Sequence, residues 1–261
     1  MKKKSLQAVL ATEKCTCLLS SLSDGQKNVV ELSISSGLSI REILLNVRQM
    51  EDCYLISQEN GLFRLTSMGE LIIKKLEPLL YIEKFLNTSD GYLQKRNLDF
   101  IPLPLLTRLY EIDSFTVVQP SFFDMFDYNK EAHERSKRSK SFRMVAASLH
   151  PYFPELFRDL IDEGVNLYLI FDSSLLDKLK GDNYDELQEL VSYRQVKIYM
   201  YPQKMYFLSL KVNDFCIVLK LLTNEGTYDH KQLMCHSPDA VIWGKELFNH
   251  YLKDSMQVTQ I

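Results

Sequence analysis

The clearest hydrophobic pattern in the chain begins at Ile40, where apolar residues recur at Ile40, Ile43, Leu44, Val47 and Met50. This three-and-four spacing predicts a helix with that stripe turned inward. Its outer face would then carry Arg41, Leu45, Asn46, Arg48 and Gln49. Ser39 precedes the helix and Glu42 follows three residues later, the signature of an N-cap with a capping box. Asn28 and Glu31 stand in the same relation at the start of a shorter helix upstream. Between the two helices lies Ser35-Ser36-Gly37-Leu38, a tight turn in which Gly37 can take the positive φ that ends a helix. Downstream come Tyr54-Leu55-Ile56-Ser57 and Gly61-Leu62-Phe63-Arg64-Leu65, joined through Glu59-Asn60-Gly61. Asn-Gly between two apolar runs is a strong hairpin signal. Helix, turn, helix and hairpin together predict a winged helix-turn-helix, whose second helix is the one that enters a DNA major groove.

The flanking patterns extend this unit. Residues 5–22 predict a first helix through Leu6, Val9, Leu10, Cys17, Leu18 and Leu22, ended by Ser23-Asp24-Gly25. Ser67 and Glu70 open another helix after the hairpin, running to about Leu86, with Pro78 inside it. Proline removes a ladder hydrogen bond, so this helix is expected to kink or divide there. A long apolar helix after a wing suits pairing of two subunits; the alternative is that it packs on its own domain. Asn87-Thr88-Ser89-Asp90-Gly91 reads as a linker. Beyond it, strand and helix patterns alternate: strands at 115–118, 142–147, 165–171, 196–200, 205–211 and 215–222, and helices at 129–140, 154–163, 184–192 and 239–253. Alternation followed by adjacent strands implies an α/β domain with a sheet that is mixed at one edge. The expected fold is therefore α/β overall. Residues 1–66 form an α+β winged helix-turn-helix, 67–97 a connecting helix and linker, and 98–261 an α/β sensor or dimerisation domain.

Composition narrows the functional classes. The longest apolar runs fall short of a membrane-spanning helix. The basic start Met1-Lys2-Lys3-Lys4 is followed by Gln7, Thr12, Glu13 and Lys14, which break the apolar region that a signal peptide needs. The five cysteines include no Cys-x-x-Cys pair; together with the odd count, this suggests reduced thiols and a cytoplasmic location. The net charge of −3 excludes a protein coated in basic residues. Residues 1–80 hold ten Lys/Arg and nine Asp/Glu, a balance of +1. Phosphate neutralisation drives non-specific DNA affinity, so one copy should bind weakly, and a dimer would ease the problem.

Enzyme signatures are missing. No two glycines form a Gly-x-Gly turn and there is no phosphate-loop sequence, which weighs against a nucleotide enzyme or a methyltransferase carrying a winged-helix dimerisation domain. None of the five histidines begins a His-x-Lys pair, and no serine sits in a Gly-x-Ser-x-Gly elbow. His230, Cys235 and His236 do not fit a standard zinc spacing. No cofactor, metal or catalytic residue is expected.

Four further stretches carry a family likeness: Leu65-Thr66-Ser67-Met68-Gly69-Glu70 with Leu76-Glu77-Pro78-Leu79-Leu80; His150-Pro151-Tyr152-Phe153-Pro154-Glu155-Leu156-Phe157; Tyr228-Asp229-His230-Lys231-Gln232-Leu233; and Trp243-Gly244-Lys245-Glu246-Leu247-Phe248. In this order they resemble the archaeal winged-helix transcription regulators of the methanogenesis-regulator type, across nearly the whole chain. The resemblance implies a DNA-binding regulator whose C-terminal domain is related in fold to phospholipase D-like domains without their chemistry. The chain departs from that family before the C-terminal domain, where Tyr92 and Asn97-Leu98-Asp99 replace the usual tryptophan and His-Asp.

Candidate residues follow. For duplex DNA they are Arg41, Asn46, Arg48 and Gln49, because arginine can grip guanine and Asn or Gln adenine through paired hydrogen bonds. Ser39 would offer its backbone N–H to a phosphate. Asn60 and Arg64 would reach from the wing, and Lys2–Lys4 would add phosphate contacts. For a small-molecule effector, pockets in α/β sheets lie beyond the carboxyl ends of strands, which nominates His150, Tyr152, Asp172, Tyr228 and His230. The competing reading of these five is structural, with His150-Pro151 capping a helix and Tyr228 and His230 holding a turn. The leading function is a dimeric, DNA-binding transcriptional regulator; the alternatives are a winged-helix protein-interaction scaffold and an enzyme of unrecognised type.

Overall fold

A computed structural model describes residues 5–112, 114–120 and 128–260, apart from the side chains of Lys84, Ser89 and Asp90. The chain forms two compact units, residues 1–83 and 84–261.

The first unit contains α1 (Leu6–Leu10), α2 (Glu13–Leu22), β1 (Lys27–Asn28), α3 (Val29–Ser36), α4 (Ile40–Asp52), β2 (Ile56–Glu59) and β3 (Leu62–Leu65). It also contains the start of α5 (Ser67–Gly91). The expected single N-terminal helix is two, because Ala11 caps α1 and Thr12 starts α2. Both capping boxes form in full: Asn28 with Glu31 at α3, and Ser39 with Glu42 at α4. Gly37 ends α3 at φ 69°. The wing turn places Asn60 at φ 52° and Gly61 at φ 81°, the pair of positive values that a two-residue hairpin turn requires. β1 pairs with the outer side of β3, giving a three-stranded antiparallel sheet in the order β1-β3-β2. Leu18, Leu19, Leu32, Ile43, Met50 and Phe63 make the core.

Gly69 sits where the packing admits no side chain. A methyl group there would sit 2.0 Å from the Leu55 carbonyl oxygen, which itself accepts the Thr66 N–H at 3.0 Å. The absence of a side chain lets the start of α5 lie directly on the strand entry. α5 then runs unbroken through Pro78 to Gly91. It does not divide at the proline, and the expected linker at 87–91 is helical.

The second unit is built on an eight-stranded mixed sheet. Its elements are α6 (Leu103–Leu106), β4 (Thr116–Val118), α7 (Lys130–Lys137), β5 (Ser141–Ala146), α8 (Phe153–Asp162), β6 (Asn166–Asp172), α9 (Ser173–Asp182) and α10 (Tyr184–Ser192). They continue with β7 (Val196–Tyr201), β8 (Ser209–Val212), β9 (Ile217–Lys220), β10 (Gln232–Cys235), α11 (Pro238–Lys253) and β11 (Met256–Val258). The strand order is β11-β7-β6-β5-β8-β9-β10-β4. Among the described residues only β5, β6 and β7 run parallel, so antiparallel strands flank them on both sides rather than at one edge. α9, β10 and β11 fall outside the sequence-based expectation.

One sheet face is closed by α11. Trp243 donates its indole N–H to the Leu105 carbonyl at 2.9 Å, and Tyr251 its hydroxyl to the Phe100 carbonyl at 2.9 Å. Gly244 lets the helix settle onto β8 and β9, since a methyl group there would come within 2.7 Å of Ile217. The opposite face lies under α8, with Phe142, Met144 and Phe157 in one cluster, and under α7, with Ala132 against Val218 and Met234 in another.

Candidate nucleic-acid interface and sensor pocket

The capping box decides what the start of α4 presents. The Glu42 carboxylate accepts the Ser39 backbone N–H at 2.9 Å and the Ser39 hydroxyl at 2.6 Å. It also takes the Lys14 ammonium at 2.8 Å. Hydrogen bonds from Lys14 and Ser39 hold its pKa down at about 2, so it stays ionised. The Ser39 N–H assigned to phosphate is therefore already occupied, and a carboxylate fills that position. This corrects the expectation for Ser39.

The phase of α4 also differs from the expected one. Its buried residues are Ile43, Asn46, Val47 and Met50; Ile40 and Leu44 are exposed. Asn46 is only 8% exposed. Its amide donates to the Glu42 carbonyl at 2.8 Å and its oxygen accepts from the Cys15 thiol at 3.4 Å. Asn46 therefore ties α4 to α2 and is withdrawn as a base-reading residue. The apolar count misplaced the stripe because a satisfied asparagine can occupy a core position. Gln49 is half-buried, with its side-chain oxygen enclosed and lacking a hydrogen-bond partner among the described residues.

The exposed residues of α4 are Ile40, Arg41, Leu44, Leu45, Arg48 and Asp52, of which Arg41, Leu44, Leu45 and Arg48 have the three- and four-residue spacing of one helix face. No ion pair to a carboxylate forms at Arg41 or Arg48 among the described residues. In the wing, Asn60 is exposed at the turn. Arg64 donates to the Ser57 hydroxyl at 3.2 Å and pairs with Glu59 at 3.4 Å; both contacts are exposed and easily exchanged for a phosphate. The Lys2–Lys4 expectation lies outside the described residues.

In the second unit three of the five nominated pocket residues come together. A cavity of about 190 Å³ is rimmed by His150, Tyr228 and His230 and floored by Ser209, Lys211, Lys220 and Gln232. His150 accepts the Tyr152 backbone N–H on its Nδ1 at 3.1 Å, as a cap before α8 would, while Tyr152 itself is exposed and lines none of this cavity. Asp172 is 6% exposed and accepts the Leu175 N–H at 2.8 Å as the N-cap of α9. Burial raises its pKa, with that hydrogen bond opposing. It is a structural cap and is withdrawn from the pocket. The Tyr228 ring lies 5.2 Å from the His230 ring, tilted by 46°, with the Lys220 ammonium 5.9 Å over its face, and burial pushes its phenol pKa upward. His230 takes φ 63° in the turn.

Sequence reading missed the floor. Lys211 and Lys220 lie on β8 and β9, where Ser209 stands directly opposite Lys220 and Lys211 opposite Val218. The signal was present in the alternation Ser209-Leu210-Lys211-Val212, polar on one face in a strand that proves central. Burial lowers the pKa of both lysines, Lys211 to about 8 with the charge of Lys220 adding to the effect.

A second polar assembly holds the β9–β10 loop. Arg96 pairs with Asp229 through two bonds at 2.9 and 2.6 Å and lies 4.1 Å over the Tyr92 ring. Tyr92, Arg96 and Asp229 thus anchor the segment that carries Tyr228 and His230.

Residues 125–254 match the family described as "Methanogenesis regulatory protein FilR1, middle domain". Over 223 residues the chain is 23% identical to the methanogenesis regulatory protein FilR1 of Methanothrix harundinacea (strain 6Ac), covering 84% of this chain and 50% of that protein. The chain therefore spans about half the length of the curated relative it matches. Among solved structures it is similar to TrmBL2, described as an archaeal chromatin protein with a novel mode of DNA binding, at a TM-score of 0.45 and 13% identity over 97% of each chain. It is also similar to Nuc from Salmonella typhimurium, a phospholipase D family member, at a TM-score of 0.38 and 12% identity, covering 56% of this chain and 99% of that one.

Proposed function

We propose that the chain is a DNA-binding transcriptional regulator, without catalytic activity, whose second unit senses a small molecule or mediates an interaction. The observation that carries the reading is the outer face of α4, where Arg41 and Arg48 are exposed on one helical face and, among the described residues, form no ion pair with a carboxylate. Leu44 and Leu45 between them suit thymine methyl groups, and the arginines suit guanine or phosphate. Asn60 and Arg64 in the wing supply backbone contacts. The match of residues 125–254 to a regulator's middle domain supports the assignment of the second unit.

The reading includes a homodimer. Met68, Leu71, Lys75 and Leu79 share one face of α5, and the three apolar members are exposed. A second copy of that stripe would cover them and place two α4 helices for adjacent half-sites. It would also compensate for the low charge of one copy. Sedimentation or light scattering of the intact chain tests the dimer; a monomer at micromolar concentration would remove it.

A second reading keeps support from one observation. Ile34 is 81% exposed and Leu45 56%, so the helix-turn-helix surface is unusually apolar, as a protein-docking module would be. A gel shift on the region upstream of the chain's own gene, with Arg41→Ala/Arg48→Ala and Leu45→Ala variants in parallel, separates the two. Loss of binding on removing the arginines supports the regulator; no salt-sensitive binding by any form leaves the scaffold.

A further inference from the structure

We infer that the cavity floored by Lys211 and Lys220 is a binding site for a small dianionic phosphate group, either free phosphate or a phosphomonoester. This rests on the reading of the second unit as the sensing half of the protein and names the chemistry of its ligand.

The sheet register creates the site. Ser209 faces Lys220 across β8 and β9, and Gln232 follows one step beyond the Leu233–Leu219 pair of β10 and β9. Lys211 lies two residues from Ser209, so all four side chains project from one face of the sheet. The two lysines are diagonal cross-strand neighbours, typically about 7–8 Å apart at the backbone. That spacing allows both ammonium groups to converge on one group between them.

Neither ammonium is neutralised. Among the described residues no carboxylate pairs with Lys211 or Lys220; Lys220 has only the face of Tyr228 at 5.9 Å. Two confined cations with no counter-charge are costly, and the usual resolution is pairing. Gln232 adds an independent sign. It is 5% exposed, and its side-chain oxygen has no hydrogen-bond partner among the described residues. Turning the amide over would present its NH2 to an anion, since the two amide orientations differ little in shape. Lysine ammoniums, an amide and the Ser209 hydroxyl are a donor set for an oxyanion.

The charge count selects the class. A carboxylate would leave one of two lysines unbalanced, whereas a phosphate monoester or inorganic phosphate at neutral pH balances both. A volume of about 190 Å³ is small against the 300–1,000 Å³ of most ligand pockets, which favours a compact phosphate bearer over a nucleotide. His150 and His230, on loops at the rim, are placed to contact the remainder of an ester.

Isothermal titration and thermal melting of the intact chain without DNA test the assignment. The probes are inorganic phosphate, glycerol 3-phosphate, glycerol and acetate at matched ionic strength. Saturable binding of phosphate or glycerol 3-phosphate, with acetate and glycerol at least tenfold weaker, is expected; preference between the two phosphates identifies the free or the esterified form. Lys220→Met and Lys211→Met should each weaken binding at least tenfold while still melting cooperatively. Lys211→Arg should retain most of the affinity, and its retention excludes a general packing effect. Equal response to acetate, no response to any probe, or phosphate binding that survives both methionine variants would overturn the site. DNA binding through α4 is measured separately on Arg41 and Arg48 variants, so failure here and failure of the regulator reading are distinct.

Discussion

Replacing Lys211 by methionine should stabilise the second unit at neutral pH, and the gain should vanish in base. Methionine keeps the unbranched stem and removes the ammonium. In the folded protein the Lys211 pKa falls from 10.5 to about 8, burial being the larger cause and the nearby Lys220 charge the smaller. That fall corresponds to ~3 kcal/mol against the charged form. Lys211 is half-buried by surface area, which scales the figure to roughly 2 kcal/mol after solvent screening. The sign follows from proton binding. Between about pH 8 and 10.5 the unfolded chain holds the Lys211 proton and the folded chain does not, so wild-type stability rises with pH across that window. Below about pH 8 both states are protonated, and the folded state bears the full cost. Lys211→Met has no such cost at any pH. Calorimetric or circular-dichroism melts from pH 6 to 10.5, in buffer free of phosphate and sulfate, should show the variant's second-unit transition higher by roughly 4–8 °C at pH 7. The difference should shrink toward zero by pH 10.5. A variant less stable than wild type at pH 7, or a difference independent of pH, would show that Lys211 is neutralised within the fold and would refute the reasoning.

Three further outcomes follow from the geometry. Gly69→Ala puts a methyl group 2.0 Å from the Leu55 oxygen, so the first unit should lose ~2–3 kcal/mol or more through forced backbone movement; urea unfolding followed by a first-unit probe measures it, and an unchanged midpoint would contradict the close approach. Arg96→Ala leaves Asp229 without its two-bond partner and should cost the second unit about 3 kcal/mol, with the β9–β10 loop exchanging its amide hydrogens faster. Asn46→Ala should lower first-unit stability by ~1–2 kcal/mol through its two lost hydrogen bonds, yet leave the salt dependence of DNA binding intact. A changed salt slope would restore Asn46 as a DNA contact.

How far the sequence reveals this molecule depends on whether the decisive contacts are local. Asn28 with Glu31, Ser39 with Glu42, Gly37 and Asn60-Gly61 act within four residues of themselves, and each behaves as the residue types dictate. The phase of α4 depends instead on Cys15 and Asn46 meeting across 31 positions, and an apolar count cannot see a polar residue satisfied in the core. Pro78 and the polar run 87–91 suggested breaks, yet the helix continues through both, because a proline costs one ladder bond and polar residues are tolerated on an exposed helix. In the second unit, β10 is fully buried although it contains Gln232 and follows a polar loop. His150, Tyr228 and His230 could be nominated from their positions after strands. Lys211 and Lys220 could not, because a lysine in a strand signals solvent until the sheet order places that strand in the interior.

The central claim is that the outer face of α4 reads DNA through Arg41 and Arg48. Fluorescence anisotropy of the intact chain with a labelled duplex from upstream of its own gene, across a salt series, tests it most directly. Wild type should bind with a salt-dependent constant, and Arg41→Ala/Arg48→Ala should bind at least tenfold more weakly. Where these arginines meet phosphates, the slope of log K against log salt should fall by about one for each side chain removed. A folded double variant that binds with unchanged affinity and slope would contradict the account.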